Sequence, residues 1–255
     1  MLYSLESGTP DQPAIILLHG GGLSSKMWQP VMDQLNGFHC LAPDMPEHGQ
    51  SSGIAPFDLD DTAQRVAELV RERVPGGKAH VCGLSLGGAV VLTLARLAPE
   101  VIDHGMVTGT AAGVSKFLGQ LSLASLWMFR MYKPAELVKV SLKQFAIPAQ
   151  YAEMFTEDLL HSNTEAFNRT LIDNLMRMQL PESINFPLLA TVGEKETIPA
   201  KQAAQKITRL YPSATGRTVN GLGHVWALQN PTRFAATLRA WFTDCPLPEG
   251  LRELK

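Results

Sequence analysis

Uninterrupted apolar runs alternate along most of the chain with segments whose apolar residues recur every three or four positions. Ala14-Ile15-Ile16-Leu17-Leu18 has no polar break, as expected for a strand covered on both faces. Residues 2–6 predict a short edge strand before it, closed by the turn signal Gly8-Thr9-Pro10. After His19-Gly20-Gly21-Gly22, Ser24 or Ser25 caps a helix through Trp28, Val31, Met32 and Leu35. His39-Cys40-Leu41-Ala42 is a third strand and runs into a Pro/Gly-rich loop over residues 43–51. Asp58 caps the next helix, whose apolar face is Leu59, Ala63, Val66, Leu69 or Val70, and Val74; Pro75-Gly76-Gly77 stops it. Ala79-His80-Val81-Cys82 is again strand-like, and a helical pattern follows from Gly88 with almost no loop between. That helix closes at Ala98-Pro99, and Gly105-Met106-Val107-Thr108 is the next strand. Strand and helix alternating at this spacing imply βαβ units, hence a parallel sheet with helices on both faces.

Residues 113 to about 185 break the rhythm. No strand pattern occurs there, and Phe117, Leu118, Leu121, Leu126, Phe129, Met131, Phe145, Tyr151, Met154, Phe155, Phe167, Leu171, Leu175 and Met176 fall at helical spacing. Prolines 134, 148 and 181 divide the segment into about four short helices. The α/β rhythm resumes with a strand over 186–192 that ends in Gly193-Glu194-Lys195-Glu196, then a helix from about Pro199 to Leu210. The last strand, 215–219, leads to Asn220-Gly221-Leu222-Gly223-His224. Asn230 caps a closing helix with Pro231 at its first position, and the polar, Pro-rich residues after Cys245 read as a tail. The expected fold class is therefore α/β: a doubly wound, mostly parallel sheet of about seven strands. Residues 1–112 and 186–255 form its core. Residues 113–185 are a helical cap, an insertion and not an independent domain.

Composition narrows the class. With 255 residues, 45% hydrophobic and 18% charged, the chain can bury one sizeable core. A net charge of −2 gives no reason to expect a nucleic acid or an anionic membrane as partner. The start, Met1-Leu2-Tyr3-Ser4-Leu5-Glu6, lacks the pattern of a signal peptide, and no stretch approaches a membrane span. Cys40, Cys82 and Cys245 have no metal spacing, and a sparse, odd count fits a reducing compartment. A cytoplasmic protein is expected.

The chemistry centres on Gly83-Leu84-Ser85-Leu86-Gly87, where the strand becomes a helix. A turn that sharp forces its central residue into a strained backbone region, and side chains two residues away on either side would collide. A plain Gly/Ser turn is the alternative, but the strand before and the helix after favour a nucleophile elbow. The helix start offers free N–H groups to a developing oxyanion. A serine hydroxyl needs a base, and His224, in a Gly-flanked loop after the last strand, is the best placed of seven histidines. Sites in such sheets form at the carboxyl ends of strands, where His19, Asp44 and Ser85 all stand.

Together, His19-Gly20-Gly21-Gly22, the Pro43-Asp44…His48-Gly49-Gln50-Ser51 loop, Gly83 to Gly88, Gly193-Glu194-Lys195-Glu196 and Gly223-His224 are five landmarks in a fixed order. In them the chain resembles the α/β-hydrolase fold superfamily, of the small capped, single-domain, esterase-like type. The resemblance implies Ser85 as nucleophile, His224 as base and Glu196 as the acid, with Glu194 its rival. It implies an oxyanion hole from the backbone of Leu86 and of Gly21, with Gly22 as a second option. His19 and His48 are then loop supports and Asp44 is structural, while His39, His80, His104 and His161 have no supporting context. Two departures stand out: Glu196 where Asp is usual, and Glu47 where a Gly usually precedes the loop histidine. The chain also starts late relative to the family, so the first edge strand should be missing.

The expected function is a serine hydrolase acting on a small-molecule ester or related carbonyl compound, with no metal or organic cofactor implied. The alternatives are C–C bond hydrolysis or a lyase step with the same triad, and a slow or non-catalytic ligand-binding signalling protein. Most aromatic and methionine side chains of the cap should be packing. Those that face the serine, with Trp127 and Met131 as examples, would suit an apolar acyl or alkyl group.

Overall fold

The computed structural model describes residues 1–254, Met128 and Arg130 by backbone only. Eight strands form one sheet: β1 (Ser4–Ser7), β2 (Ala14–Leu18), β3 (His39–Pro43), β4 (Ala79–Leu84), β5 (Ile102–Thr108), β6 (Leu188–Gly193), β7 (Ala214–Val219) and β8 (Leu251–Glu253). Their order is β1-β3-β2-β4-β5-β6-β7-β8. Strands β2 to β7 are parallel, and antiparallel β1 and β8 close the two edges. The doubly wound sheet is as expected, with one strand more. That strand comes from the tail, where Leu251 pairs with Val219 and Glu253 with Arg217. Three residues with one apolar side chain are too few to form a readable pattern.

The apolar runs are continuous because successive residues feed opposite cores. Ile16, Leu18, Val81, Val107, Leu188 and Ala190 face one cluster. It is completed by helices α2 (Leu59–Arg73), α3 (Leu86–Leu97) and α9 (Ile198–Leu210). Ile15, Leu17, Cys40, Cys82, Met106 and Leu189 face the other, built on α1 (Gln29–Met32), α10 (Trp226–Gln229) and α11 (Pro231–Phe242). Caps fix the helix starts: Asp58 accepts from the N–H groups of Asp60 and Asp61, and Asn230 from that of Arg233. No described helix is long and apolar enough to cross a membrane.

Between Thr108 and Leu188 the described residues hold no strand. Five helices lie there: α4 (Lys116–Ser125), α5 (Met128–Met131), α6 (Pro134–Gln144), α7 (Ala152–Ser162) and α8 (Glu165–Arg177). Phe155 and Leu159 join one core cluster and Phe167 the other, so the segment straddles both. Polar bonds tie it down as well. Asp158 Oδ2 accepts from the Ser24 N–H (2.8 Å) and hydroxyl (2.7 Å), bonds that offset a burial which raises its carboxyl pKa. Asn174 Oδ1 accepts from the Leu59 N–H at 3.0 Å.

The corner between β4 and α3 is the tightest point of the fold. A Cβ on Gly83 would sit 2.2 Å from the Gly87 carbonyl oxygen, and one on Gly87 2.2 Å from that of Leu18. Both neighbours are backbone, which cannot step aside. Gly87→Ala is therefore expected to destabilise the protein by about 3 kcal/mol or more, the upper range of overpacking costs. Urea unfolding of the variant against the wild type measures it. An unchanged midpoint would mean that the corner has slack.

Candidate active site

Ser85 takes φ 54° and ψ −111° at the start of α3, outside the regions a side-chain-bearing residue prefers. Its surroundings over-determine that strain. The Ser85 N–H donates to the Thr108 carbonyl (2.9 Å), and its own carbonyl accepts from the Gly88 N–H (3.1 Å) and the Thr110 hydroxyl (2.9 Å). The Gly87 N–H donates to the His19 carbonyl at 3.0 Å. The corner is thus bonded to the carboxyl ends of both neighbouring strands, β2 and β5.

Ser85 opens into a cavity of about 160 Å³ that His224, Gly21 and Leu86 also line. The helical segment supplies much of the remaining wall through Phe145, Phe155, Leu159, Phe167, Leu171 and Leu175. Trp127 and Met131, expected on the pocket, lie outside it, 57% and 69% exposed. Helical spacing shows which residues share a face, but not which face the serine sees.

His224 Nδ1 lies 2.5 Å from Glu196 Oε1. The Glu196 side chain is 3% exposed, and its Oε2 is buried with no hydrogen-bond partner. Glu194, the rival, turns away: its carboxylate accepts from the Gly221 N–H (2.7 Å) and from Arg252 on β8 (2.6 Å). The Gly221 N–H, helped by Arg252, lowers its pKa. Ser85 and His224 share the cavity wall without a hydrogen bond between their side chains.

Three supports of this pair escaped the sequence reading. Gly109, at φ 56°, leaves the space the pair occupies, because a Cβ there would lie 2.9 Å from His224 Nδ1. Phe145 stacks on the imidazole at 5.3 Å. Gln229 accepts from the Gly223 N–H (2.8 Å) and donates to the Phe145 carbonyl (2.6 Å), so it joins the histidine loop to the helical segment. Only Gly109 had a sequence signal, a glycine directly after a strand.

The loop after β2 is held by two histidines. Gly22 donates its N–H to His48 Nε2 (3.0 Å), whose Nδ1–H donates to the Pro46 carbonyl (2.8 Å). That commits the Gly22 donor, whereas the N–H groups of Gly21 and Leu86 go to no described residue. His19 Nδ1–H donates to the Gly20 carbonyl and Nε2 accepts from the Met45 N–H, both at 2.9 Å. Each ring thus donates from one nitrogen and accepts at the other, the neutral form. Burial lowers the pKa of His19 to about 4 and that of His48 to about 3. Asp44 accepts from the N–H groups of Ser25 (2.7 Å) and Gln50 (2.8 Å), a loop-holding position. Glu47 takes the left-handed φ of 64° where a glycine is usual, and its carboxylate accepts from the Phe57 N–H. Of the remaining histidines, His39 is buried against Glu6 and His161 is exposed.

An acid sensitivity follows. His19 and His48 are neutral in the folded chain but titrate near 6.5 when unfolded, so on acidification the unfolded chain takes up protons first. Their contribution is intact above about pH 6.5 and is lost toward pH 4 and 3, by up to about 1.4 kcal/mol per pH unit for each ring. Urea midpoints at pH 7 and pH 4.5 should differ accordingly. His48→Gln keeps an acceptor for Gly22 without a titrating ring, so it should flatten that dependence. An unaltered slope would exclude His48 as a source.

The alpha/beta hydrolase fold family matches residues 13–210. An "AB hydrolase superfamily protein" of Gibberella zeae is 28% identical over 96% of this chain and 85% of its own. Lipase 3 of a Moraxella species is 26% identical over 88% of this chain and 75% of its own. The enol-lactonase of Burkholderia xenovorans superposes with a TM-score of 0.78 at 22% identity, over 95% of this chain and 96% of that one. The family match runs from just before β2 to the end of α9, across the strands that carry Gly21, Ser85 and Glu196, and it makes this chain a member of the alpha/beta hydrolase fold family.

Proposed function

We propose that the protein is a serine hydrolase that cleaves a small, uncharged, apolar ester through an acyl-enzyme on Ser85. The observation that carries this reading is the buried Glu196 carboxylate against His224 Nδ1, with the imidazole on the same cavity as the elbow serine. The similarity to a protein named as a lipase agrees with it.

In the reaction, Ser85 Oγ attacks the ester carbonyl carbon while His224 Nε2 takes the hydroxyl proton. The carbonyl oxygen becomes an oxyanion, held by the uncommitted N–H groups of Gly21 and Leu86. Leu86 opens α3 and adds the positive end of the helix dipole. The tetrahedral species collapses: the C–O bond to the alcohol breaks, and His224 returns the proton to the departing oxygen. Water then attacks the acyl-enzyme by the same route. Glu196 stays ionised throughout, fixes the tautomer with Nδ1–H and stabilises the imidazolium.

Residues 113–185 act as a cap that excludes water and sizes the acyl group. Among the described residues, the polar side chains on the cavity are Ser85, His224, Asn163 and Asn168, and the two amides bond to each other at 2.7 Å. Among the described residues no lysine or arginine lines it to recruit an anion. Apolar cavities near 150 Å³ hold a benzene-sized group, so short acyl chains fit and long ones do not.

Turnover of p-nitrophenyl acetate or butyrate, and labelling by a fluorophosphonate probe, should both vanish in Ser85→Ala. A wild type inert to esters and probe would remove the reading. Glu196→Gln should lower kcat by up to about 10⁴-fold, the scale of removing a triad acid's charge. Glu194→Gln should leave kcat nearly unchanged, and the reverse pattern would move the role to Glu194. Leu171→Ala should shift preference toward longer acyl chains, and Trp127→Ala should not. Rate ratios across an acyl series read both, and equal effects would argue against a specificity role for the cavity wall.

A further inference from the structure

Two histidines with no evident place in the sequence meet at the far end of the sheet. His80 is the second residue of β4, about 16 Å along the strand from Ser85. Across from it, the pairing of β4 with β5 slips: Ala79 pairs with Ile102 but Val81 with Gly105. Asp103 and His104 together therefore oppose His80 alone, a β-bulge on β5. In a regular strand these adjacent side chains would point to opposite faces. Here they converge.

His104 Nδ1 lies 2.9 Å from Asp103 Oδ2, and His80 Nδ1 lies 3.3 Å from the same oxygen. One ligand atom from each of the three residues lies within 4.8 Å of the other two. His80 is 8% exposed, and its Nδ1, although close to the carboxylate, makes no hydrogen bond. A buried nitrogen 3.3 Å from a carboxylate oxygen, with no hydrogen bond between them, leaves both atoms placed as two ligands to one cation would be. Metal–nitrogen and metal–oxygen bonds of 2.0–2.1 Å at a tetrahedral centre put neighbouring ligand atoms about 3.3 Å apart, close to both separations.

The surroundings are arranged for ligands too. His104 turns its other nitrogen, Nε2, to Asp244 Oδ1 at 3.3 Å, as a metal-bound imidazole does with an outer carboxylate. Asp244 itself sits at φ 53°, unusual for a residue with a side chain. Phe242, the last residue of α11, stacks flat on His80 at 4.6 Å, and Trp241 meets His104 edge-on. Lys78 Nζ is 3.1 Å from Asp103 Oδ1, so Oδ2, which is hydrogen-bonded to His104 Nδ1, is the oxygen that faces both histidines. The half-exposed Asp103 gives the ion a way in from solvent.

We propose that His80, Asp103 and His104 bind one divalent transition-metal ion, Zn²⁺ by donor type, with water at the fourth position and Asp244 orienting His104. The ion would staple the starts of β4 and β5 to the end of α11, remote from the serine. It is a stability site, independent of the proposed ester chemistry.

The test uses untagged full-length protein stripped with EDTA and titrated with ZnCl₂ by calorimetry, with bound metal counted by elemental analysis after dialysis. One Zn²⁺ per chain is expected, with a higher Tm than the stripped protein and ester turnover unchanged by stripping. Co²⁺ in its place should give the visible absorption of a four-coordinate site. The double variant His80→Gln/His104→Gln should lose the stoichiometric ion, and the exposed Asp244→Asn should weaken affinity by about 10- to 100-fold. A wild type that binds no Zn²⁺ at micromolar concentration overturns the proposal, whether or not the variants fold. So does a folded double variant that binds it as well as the wild type does.

Discussion

The backbone packs so closely where β4 turns into α3 that no side-chain carbon fits at Gly83, Gly87 or Gly88, whose Cβ would meet Thr110. The carboxyl ends of three strands depend on that contact. The Gly87 N–H reaches the end of β2, and the Ser85 N–H reaches the end of β5. Once those bonds form, Ser85 has nowhere to relax from its left-handed conformation. The first turn of α3 and the Gly20–Gly22 loop then converge on one cavity. A side chain raised above a sheet by strain must be held by contacts stronger than the strain. Here backbone bonds on both sides do so.

The histidines of the site divide by environment. His19 and His48 are buried among apolar groups and backbone, with no carboxylate bonded to either ring, and desolvation keeps them neutral over the physiological range. They act as rigid polar struts, each accepting one N–H and donating to one carbonyl. His224 instead faces a buried carboxylate on one side and the cavity on the other. Its charged form has a partner waiting, which the proposed reaction requires and the struts must avoid.

Much of this was legible in the chain. The strands appeared as apolar runs because each serves two cores, and the glycines around Ser85 marked a corner whose sterics any sequence must obey. Glu196 was legible as a position just past a strand end, but Glu194 stood equally near. The choice between them depends on where Arg252 lies, and β8 is too short and polar to announce itself. Trp127 and Met131 were misplaced because periodicity carries no information about how helices α4 and α5 dock. His80, Asp103 and His104 were invisible as a group, since simple alternation sends two of them to opposite faces. A bulge, which leaves no mark in composition, brings them together.

Gln229 spans the gap between the Phe145 carbonyl and the Gly223 N–H, and Phe145 lies against the imidazole of His224. The helical segment and the histidine loop therefore share one joint, so a shift of Phe145 would reach the imidazole twice, through the stacked ring and through Gln229.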